Sequence, residues 1–402
     1  MMIKTTVQQQ IDWLAQFGLT EDGGVTRLLY SAPWQQAQQA VAQRMIDGGL
    51  AVEIDAVGNV FGRVQGATDE VILTGSHVDT VVNGGKLDGA YGVIASMIAV
   101  TELYAQHGKP KKTLEVVSLC EEEGSRFPLT FWGSRSVVGQ YSLAHMHGVA
   151  DRDGTTLEAA RAACGLVDTH IQPRPISRFV ELHIEQGQVL EREQKDIGVV
   201  THIVGQRRYT ITICGESNHA GTTPMHYRQD ALVAAASCIL RFTQLATAMD
   251  RDFVATIGQM NISPNVPNVI AHEVKFTLDI RHYDEAIIAA YCEKIFLALD
   301  DIARAHEVTY TIEQWLEVAP VAMDTHVNEW VKTYLQAERI TYCEMRSGAG
   351  HDAQVFGQVV PTTLLFVPSA RGISHSPKEH TDEAHLQQGI HVLKALLYKL
   401  AY

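Results

Sequence analysis

A histidine and an aspartate stand two residues apart, directly after a short apolar run. The run at residues 71–75 is rich in β-branched residues and ends at a glycine, which predicts a buried strand. His77 and Asp79 follow this strand, and side chains two apart in an extended chain point to the same side. The pair suits a metal-binding histidine whose second ring nitrogen is held by a carboxylate.

A further carboxylate, Asp88, follows a glycine-rich loop and precedes a helix that the apolar spacing predicts over residues 89–106. A carboxylate at the start of a helix has an ordinary role as a cap for the first turn. It is equally well placed to bind a metal ion beside His77. At this point the sequence leaves both roles open for Asp88.

Three consecutive glutamates, Glu121, Glu122 and Glu123, follow a second predicted strand at residues 113–120. Adjacent like charges repel one another, so the simplest interpretation is a solvated loop. A bound cation removes this objection. One glutamate would then bind the metal while its neighbour stays free to move protons. The order of strand, His-x-Asp, glycine loop, Asp, helix, strand and Glu-Glu favours a two-metal hydrolase site.

Elements that position these residues alternate between strand and helix in the first half of the chain. Strands near residues 71–75, 113–120 and 178–184, with helices between them, predict an α/β layer whose strand ends carry the chemistry. Because 402 residues exceed the usual size of one domain, two domains are expected.

The pattern changes near residue 205. Tyr209, Ile211 and Ile213 alternate with polar residues, as in an antiparallel strand with one exposed face. Helices are predicted near residues 229–247 and 284–306, and further strands near residues 253–261, 274–281 and 308–313. They form an α+β domain of ordinary size. The sequence therefore predicts one domain from residues 1–205 and 321–402, and an inserted domain at 206–320.

Composition excludes several classes of function. The formal net charge of -14 and the lack of a basic stripe argue against a nucleic-acid surface. No apolar run reaches the length of a membrane span, and residues 1–12 have no apolar signal core. The six cysteines show no close pairing, so free thiols are expected rather than disulfides or a zinc knuckle. A cytoplasmic location without membrane or nucleic-acid partners is the expectation.

Several long blocks carry a family resemblance across nearly the whole chain. They are GSHVDTVVNGGKLDG from Gly75, EEEGSRF from Glu121, ELHIEQG from Glu181, GQRRYTITICGESNHAGTTPM from Gly205, SGAGHDA from Ser347 and GISHSP from Gly372. The chain resembles the dinuclear metallohydrolases related to aminoacylases and carboxypeptidase G. Within them it resembles the branch of allantoate amidohydrolases, N-carbamoyl-L-amino acid hydrolases and β-alanine synthases. The resemblance implies an α/β catalytic domain with a mixed sheet flanked by helices, and an inserted α+β domain that acts as a lid and dimerises.

The resemblance also implies a set of metal ligands. A lone histidine on a strand, as His183 would be, is more often structural than a ligand, but the matching position in the family is a ligand. One metal would take His77, Asp88 and His183. The other would take Asp88, Glu123 and His375, with Asp88 bridging. Two divalent ions per subunit are expected, zinc or manganese, with nickel or cobalt as further candidates.

Catalytic and substrate roles follow from the same resemblance. Glu122 would carry the proton, Asp79 would hold His77, and His219 would donate to the oxyanion, either in its own subunit or in a neighbouring one. Without the resemblance, His219 would be an ordinary surface histidine. The substrate would be held by Gln186, Arg208, Asn268 and Arg281. Arginine suits a carboxylate because its donors form a planar fork.

One of these arginine assignments has a competing explanation, and a third arginine lies next to the other. Arg281 ends a predicted strand that also contains Asp279, so a plain surface salt bridge is the competing explanation. Arg207, next to Arg208, would point to the opposite side of the strand and is expected to face solvent.

Three functions are compatible with these residues. The first is hydrolysis of a ureido group of allantoate, giving ureidoglycine, ammonia and carbon dioxide. The second is hydrolysis of N-carbamoyl-L-amino acids, with the same chemistry in a different pocket. The third is a non-catalytic homologue that only binds, which the complete ligand set disfavours. The expected partners are a small anionic ureido substrate and a second copy of the chain.

Overall fold

The computed structural model describes residues 6–167 and 171–402, which form two compact units. Unit 1 contains the described residues up to Thr201 together with Ala322–Tyr402, and unit 2 is His202–Val321. Unit 1 is therefore built from two segments of chain that flank unit 2 in the sequence.

The secondary structure of both units is as follows. The strands, in chain order, are β1 Ala51–Ile54, β2 Val60–Val64, β3 Thr68–His77, β4 Lys112–Leu119, β5 Arg178–Ile184, β6 Ile197–Ile203, β7 Gly205–Cys214, β8 Val254–Thr256, β9 Met260–Ser263, β10 Glu273–His282, β11 Thr309–Val318, β12 Val321–Ala322, β13 Tyr342–Ser347 and β14 Thr362–Val367. The α-helices are α1 Val7–Ala15, α2 Ala32–Asp47, α3 Ala90–His107, α4 Trp132–Val137, α5 Leu157–Ala163, α6 Val189–Glu193, α7 Ala231–Thr247, α8 Glu285–Ala305, α9 Thr325–Glu338, α10 Asp352–Phe356 and α11 Glu383–Ala401.

The large sheet has the strand order β1-β2-β4-β3-β5-β14-β6-β12, with β13 also paired to β6. Its centre is parallel, since β3 pairs in parallel with β4 and β5, and β14 pairs in parallel with β5. Strand β2 joins β4 in antiparallel fashion, as β6 joins β14. The sheet is therefore mixed, and the carboxyl ends of its four central strands share one edge, where α/β sheets place their ligands.

Helix α3 follows directly on the loop that carries Asp88. It is buried along most of its length because it packs against both β3 and α11, and a helix that is apolar all round is normally covered on several sides. This packing holds the first turn of α3 in place, and with it the end of the loop that carries Asp88.

Unit 2 contains an antiparallel sheet in the order β11-β7-β10-β8, with β9 also on β10. One face of β7 is buried through Tyr209, Ile211 and Ile213, as their alternation predicts. Helices α7 and α8 pack against β7 and β10 and form a core of their own with them. The predicted fold class, a mixed sheet with flanking helices plus a second domain with an antiparallel sheet, is confirmed.

The single strand predicted at residues 253–261 is wrong. The structure has two short strands there, β8 and β9, both paired to β10. Thr256 lies opposite Asp279 and Met260 lies opposite Phe276. Four residue steps on the outer strand therefore match three on β10, and such an extra residue breaks the ladder as in a β-bulge.

No helix in the described part of the chain combines the length and apolar character needed to cross a membrane.

Candidate metal centre

The predicted metal ligands of unit 1 come together at the edge where the parallel strands end. His77 is the last residue of β3, His183 lies near the end of β5, and Glu123 follows β4. Asp88 precedes α3, and His375 lies in the loop between β14 and α11. The sheet topology thus gathers residues that are far apart in sequence.

The first group of possible donors consists of His77, Asp88 and His183, all of them buried. Oδ1 of Asp88 lies 3.1 Å from Nε2 of His183 and 3.6 Å from Nε2 of His77. One donor atom from each of the three residues lies within 4.8 Å of the other two. These atoms converge closely enough to bind one cation.

The second group consists of Asp88, Glu123 and His375. Oδ2 of Asp88 lies 3.1 Å from Nε2 of His375, which is 3.4 Å from Oε1 of Glu123. The two oxygens of Asp88 therefore face different groups, as a bridging carboxylate requires. His375 is 49% exposed, so solvent reaches this side of the site.

The ring nitrogens of two histidines are arranged for metal binding. Nδ1 of His77 lies 3.1 Å from the carbonyl oxygen of Asp79, and Nδ1 of His183 lies 2.9 Å from that of Ile184. A proton on Nδ1 satisfies these carbonyls and leaves the lone pair on Nε2, which faces Asp88. The backbone N–H of Gly89 donates to Nε2 of His183 at 3.0 Å, in agreement with this tautomer.

Two observations test whether these residues fit a pair of cations. Oε1 of Glu123 is buried and has no hydrogen-bond partner among the described residues, as expected of an oxygen that binds a metal ion. Burial and the charge of Asp88 raise the pKa of Glu123 to about 7, and a cation would offset both effects. Histidine nitrogens combined with carboxylate oxygens suit zinc or manganese. The residues therefore fit the predicted ions.

Asp88 does not cap α3. The helix begins after Gly89, whose φ is 61°, so the cap position belongs to a glycine, and no side-chain cap bond is present there among the described residues. A Cβ at Gly89 would lie 2.5 Å from the ring of His77, so glycine permits both the left-handed backbone and the close approach. Of the two roles that the sequence left open for Asp88, the cap is excluded.

Glu122 lies beside the two groups without belonging to either. Burial raises the pKa of Glu122 well above its ordinary value. The charge of His77 lowers this pKa, whereas the charges of Glu123 and Asp352 raise it further. A carboxyl group with a raised pKa that does not serve as a metal ligand can accept and return a proton.

Asp79 links His77 to the turn that carries Glu122 and Glu123. Its buried carboxylate lies 3.2 Å from Nδ1 of His77 and accepts the backbone N–H groups of Glu122 and Glu123, each at 3.0 Å. One carboxylate therefore orients a candidate ligand and fixes the backbone of the two glutamates.

Gln186 also lies in this site. Its backbone has a φ of 57°, and its Nε2 donates to Oδ2 of Asp88 at 2.9 Å and to the hydroxyl of Ser374 at 3.2 Å. The side chain that was predicted to contact the substrate thus lies against the shared carboxylate.

The remaining predicted residues belong to unit 2. Arg281 pairs with Asp279 through two nitrogens, at 2.9 and 3.1 Å, and Nε of Arg208 donates to the same carboxylate at 2.7 Å. The salt bridge proposed as a competitor for Arg281 is therefore present. The expectation that Arg207 faces solvent is wrong, because it is 17% exposed and pairs with Glu285 and Glu317.

His219 and Asn268 are neighbours in unit 2, and both are exposed. The backbone N–H of Ala220 donates to the carbonyl of Asn268 at 3.0 Å, and His219 forms an isolated β-bridge with Val269. Two loops that are distant in sequence are thus joined through their backbones at the positions of His219 and Asn268.

Residues 73–399 match the model of peptidase family M20/M25/M40, a range that contains every one of the candidate ligands. The chain belongs to this family. The family resemblance predicted from the motifs is thereby confirmed, and M20 enzymes are metal-dependent.

The M20 relatives extend over the full length of the chain. Allantoate amidohydrolase of Bacillus subtilis (strain 168) is 45% identical, with 100% of this chain and 98% of the relative covered. N-carbamoyl-L-amino-acid amidohydrolase of Paenarthrobacter aurescens is 35% identical, with 97% of each covered. A solved amidase of the hydantoinase/carbamoylase family from Burkholderia multivorans superimposes with a TM-score of 0.92 at 34% identity, covering 98% of this chain and 97% of that one.

Sequence reasoning missed several buried polar residues around this M20 site. Glu181 accepts from the hydroxyl of Ser76 at 2.7 Å and from the N–H of Ala353 at 2.8 Å. The ring of His351 lies edge-on to that of His183, 4.6 Å away. Glu181 begins the block ELHIEQG, but nothing in the sequence indicates that this glutamate is buried. Glu379 was also missed, and it holds the loop of Asp88.

Proposed function

We propose that the protein is a metal-dependent hydrolase that cleaves a ureido C–N bond of allantoate. The observation that carries this proposal is the pair of donor groups that share Asp88, next to the carboxyl group of Glu122, whose pKa is raised by burial. The 45% identity to an allantoate amidohydrolase, against 35% to an N-carbamoyl-L-amino-acid amidohydrolase, supports allantoate as the substrate.

The reaction adds one water to a ureido carbonyl and breaks its bond to the nitrogen on the central carbon. Ureidoglycine and carbamate leave, and carbamate decomposes to ammonia and carbon dioxide. Two divalent ions held by His77, Asp88, Glu123, His183 and His375 would supply Lewis acidity and lower the pKa of water. Zinc or manganese is our proposal for both ions, because of the mixed nitrogen and oxygen donors.

Proton transfer is the role that we assign to Glu122. Its carboxylate would take a proton from the attacking water and return it to the departing nitrogen, which needs a proton to leave as an amine. Asp79 would keep His77 in the correct tautomer and hold the backbone of Glu122 in place.

Charge stabilisation and substrate binding are assigned to polar groups. His219 would donate to the oxyanion, which helps because two nitrogens make a ureido carbonyl a poor electrophile. Arg208 and Arg281 would bind the substrate carboxylate, while Asn268 and Gln186 would bind its amide groups. In a chain with a net charge of -14, a cationic anchor is needed to attract an anion.

We further propose that the residues of unit 2 act as a lid and as a dimer contact, so that the enzyme is a homodimer. A cytoplasmic location is proposed with it. All six cysteines are free thiols, which suits a reducing compartment.

The second candidate is an N-carbamoyl-L-amino acid hydrolase, which the relative from Paenarthrobacter aurescens and the structure from Burkholderia multivorans favour. Ammonia release from allantoate and from N-carbamoyl-L-methionine by the purified metal-loaded protein separates the two. A higher kcat/KM for allantoate supports the first proposal. A higher value for the carbamoyl amino acid replaces it with the second, and no turnover of either substrate rejects both.

A further inference from the structure

Glu379 is a buried carboxylate outside both donor groups. It lies four residues after His375 and is 4% exposed. Its Oε1 accepts the backbone N–H of Leu87 at 2.8 Å and that of Asp88 at 3.1 Å, and its Oε2 accepts the hydroxyl of Ser374 at 2.8 Å. Both oxygens are therefore used, and each serves a different loop.

Glu379 lies so close to the loop that carries Asp88 that no side chain would fit between them at residue 85. A Cβ at Gly85 would overlap the carboxylate of Glu379, so only glycine lets the backbone pass this closely. The backbone of the loop therefore lies directly against the carboxylate of Glu379.

These contacts connect two donors of the metal centre. Glu379 fixes the backbone of Asp88, which belongs to both groups, and the side chain of Ser374, which precedes His375. Gln186 connects the same two loops a second time, because its Nε2 donates to both Asp88 and Ser374.

We propose that Glu379 is a positioning residue that sets the separation of Asp88 and His375 and thereby the affinity for the ion at the second donor group. The proposal rests on the metal-dependent function proposed above. Groups that orient the ligands of a metal ion contribute about 10- to 100-fold to its affinity.

The effect on the two ions is expected to be unequal. In the second group, Asp88 and His375 both lie on loops that Glu379 holds, whereas in the first group only Asp88 does. Loss of the carboxylate should therefore weaken the second ion more than the first. A general loss of folding would weaken both alike.

The test is a titration of metal-free protein with Mn²⁺, in which electron paramagnetic resonance counts the free ion. The wild type should bind two ions per chain. Glu379→Ala should weaken one of them by about tenfold or more, in line with the effect of removing such a group, and leave the other within about threefold.

Two milder variants guard against misfolding. Glu379→Gln keeps an oxygen for the two N–H groups and offers an NH₂ that can donate to Ser374, so it should restore binding to within about threefold of wild type. Ser374→Ala removes one contact and should weaken the same ion by less than Glu379→Ala does. The control is Asp324→Asn, since Asp324 caps α9 and pairs with Arg178 but touches neither loop.

The possible outcomes separate the inference from the function on which it rests. A wild type that binds two ions beside a folded Glu379→Ala that binds both equally well overturns the inference alone. Equal weakening of both ions, or the same loss in Asp324→Asn, also overturns it. A wild type that binds no Mn²⁺ and has no activity with any divalent ion rejects the proposed function as well.

Discussion

The carboxylate of Asp79 accepts the backbone N–H of Glu122 at 3.0 Å. The end of β3 and the turn after β4 are therefore held together by a side chain that also lies 3.2 Å from Nδ1 of His77. Because the same carboxylate binds Glu123, the two glutamates share a backbone anchor. Any difference in function between Glu122 and Glu123 must therefore arise from the positions of their side chains.

We expect Glu122→Gln and Glu123→Gln to have different effects. Glutamine at 122 keeps the shape but cannot carry a proton, so the variant should retain both metal ions and lose about 100-fold or more in kcat. Glutamine at 123 removes a donor from the second group and should cost one metal ion. Elemental analysis beside steady-state kinetics measures both quantities. An equal fall in metal content in the two variants would show that the proposed division of roles is wrong.

Removal of the metal ions should abolish activity reversibly. Protein that has been dialysed against a chelator should turn over allantoate only after Zn²⁺ or Mn²⁺ is returned. Asp88→Ala should stay inactive under the same treatment, because the shared donor of both groups is gone. Circular dichroism of the metal-free forms controls for unfolding. Full turnover by protein that elemental analysis shows to be metal-free contradicts the proposed chemistry.

Arg281→Lys should weaken turnover of allantoate. A lysine cannot reproduce the planar fork that arginine offers, so the expected loss is about 2 kcal/mol, or about 30-fold in kcat/KM. The matched control is Arg207→Lys on the adjacent strand, because Arg207 pairs with Glu285 and Glu317 instead. It should stay within about threefold of wild type. Similar losses in both variants would assign Arg281 a structural role only.

Asp279 should make stability depend on pH. Burial acts to raise its pKa, but the hydrogen bonds and charges of Arg281 and Arg208 outweigh burial and lower the pKa below its ordinary value of 3.8. Its contribution to stability is therefore fully present above about pH 4 and is lost as the pH falls through the lowered pKa.

Asp279→Asn measures this contribution through urea unfolding at a series of pH values. The difference in the free energy of unfolding between wild type and variant should be constant from pH 7 to about pH 4 and shrink below it. A difference that grows on acidification would mean that the arginines do not stabilise the charged form.

Much of the centre was predictable because its residues follow strands whose apolar runs are easy to recognise. His77 and Glu123 come directly after such runs, and parallel strands bring their carboxyl ends to one edge. The roles of His183 and His375 came from the family resemblance, since a histidine on a strand or in a loop carries no signal of its own. The topology then places them beside Asp88.

Other features depend on contacts that no local pattern encodes. Glu379 lies two residues beyond the block GISHSP, and its bonds to Leu87 and Asp88 join positions far apart in sequence. The pairing of both Arg208 and Arg281 with Asp279 depends on the register between β7 and β10. The interruption between β8 and β9 likewise depends on the register with β10, and alternation alone could not locate it.

Strand β14 is the last to be synthesised, but it lies inside the large sheet, between β5 and β6. A chain still on the ribosome leaves those two strands without their shared neighbour until unit 2 and the following segment have emerged. Unpaired strand edges favour aggregation, and contacts between distant segments form slowly. We therefore expect insertion of β14 to be a late step in folding, and a chain that ends before β14 would expose two open edges and lack His375.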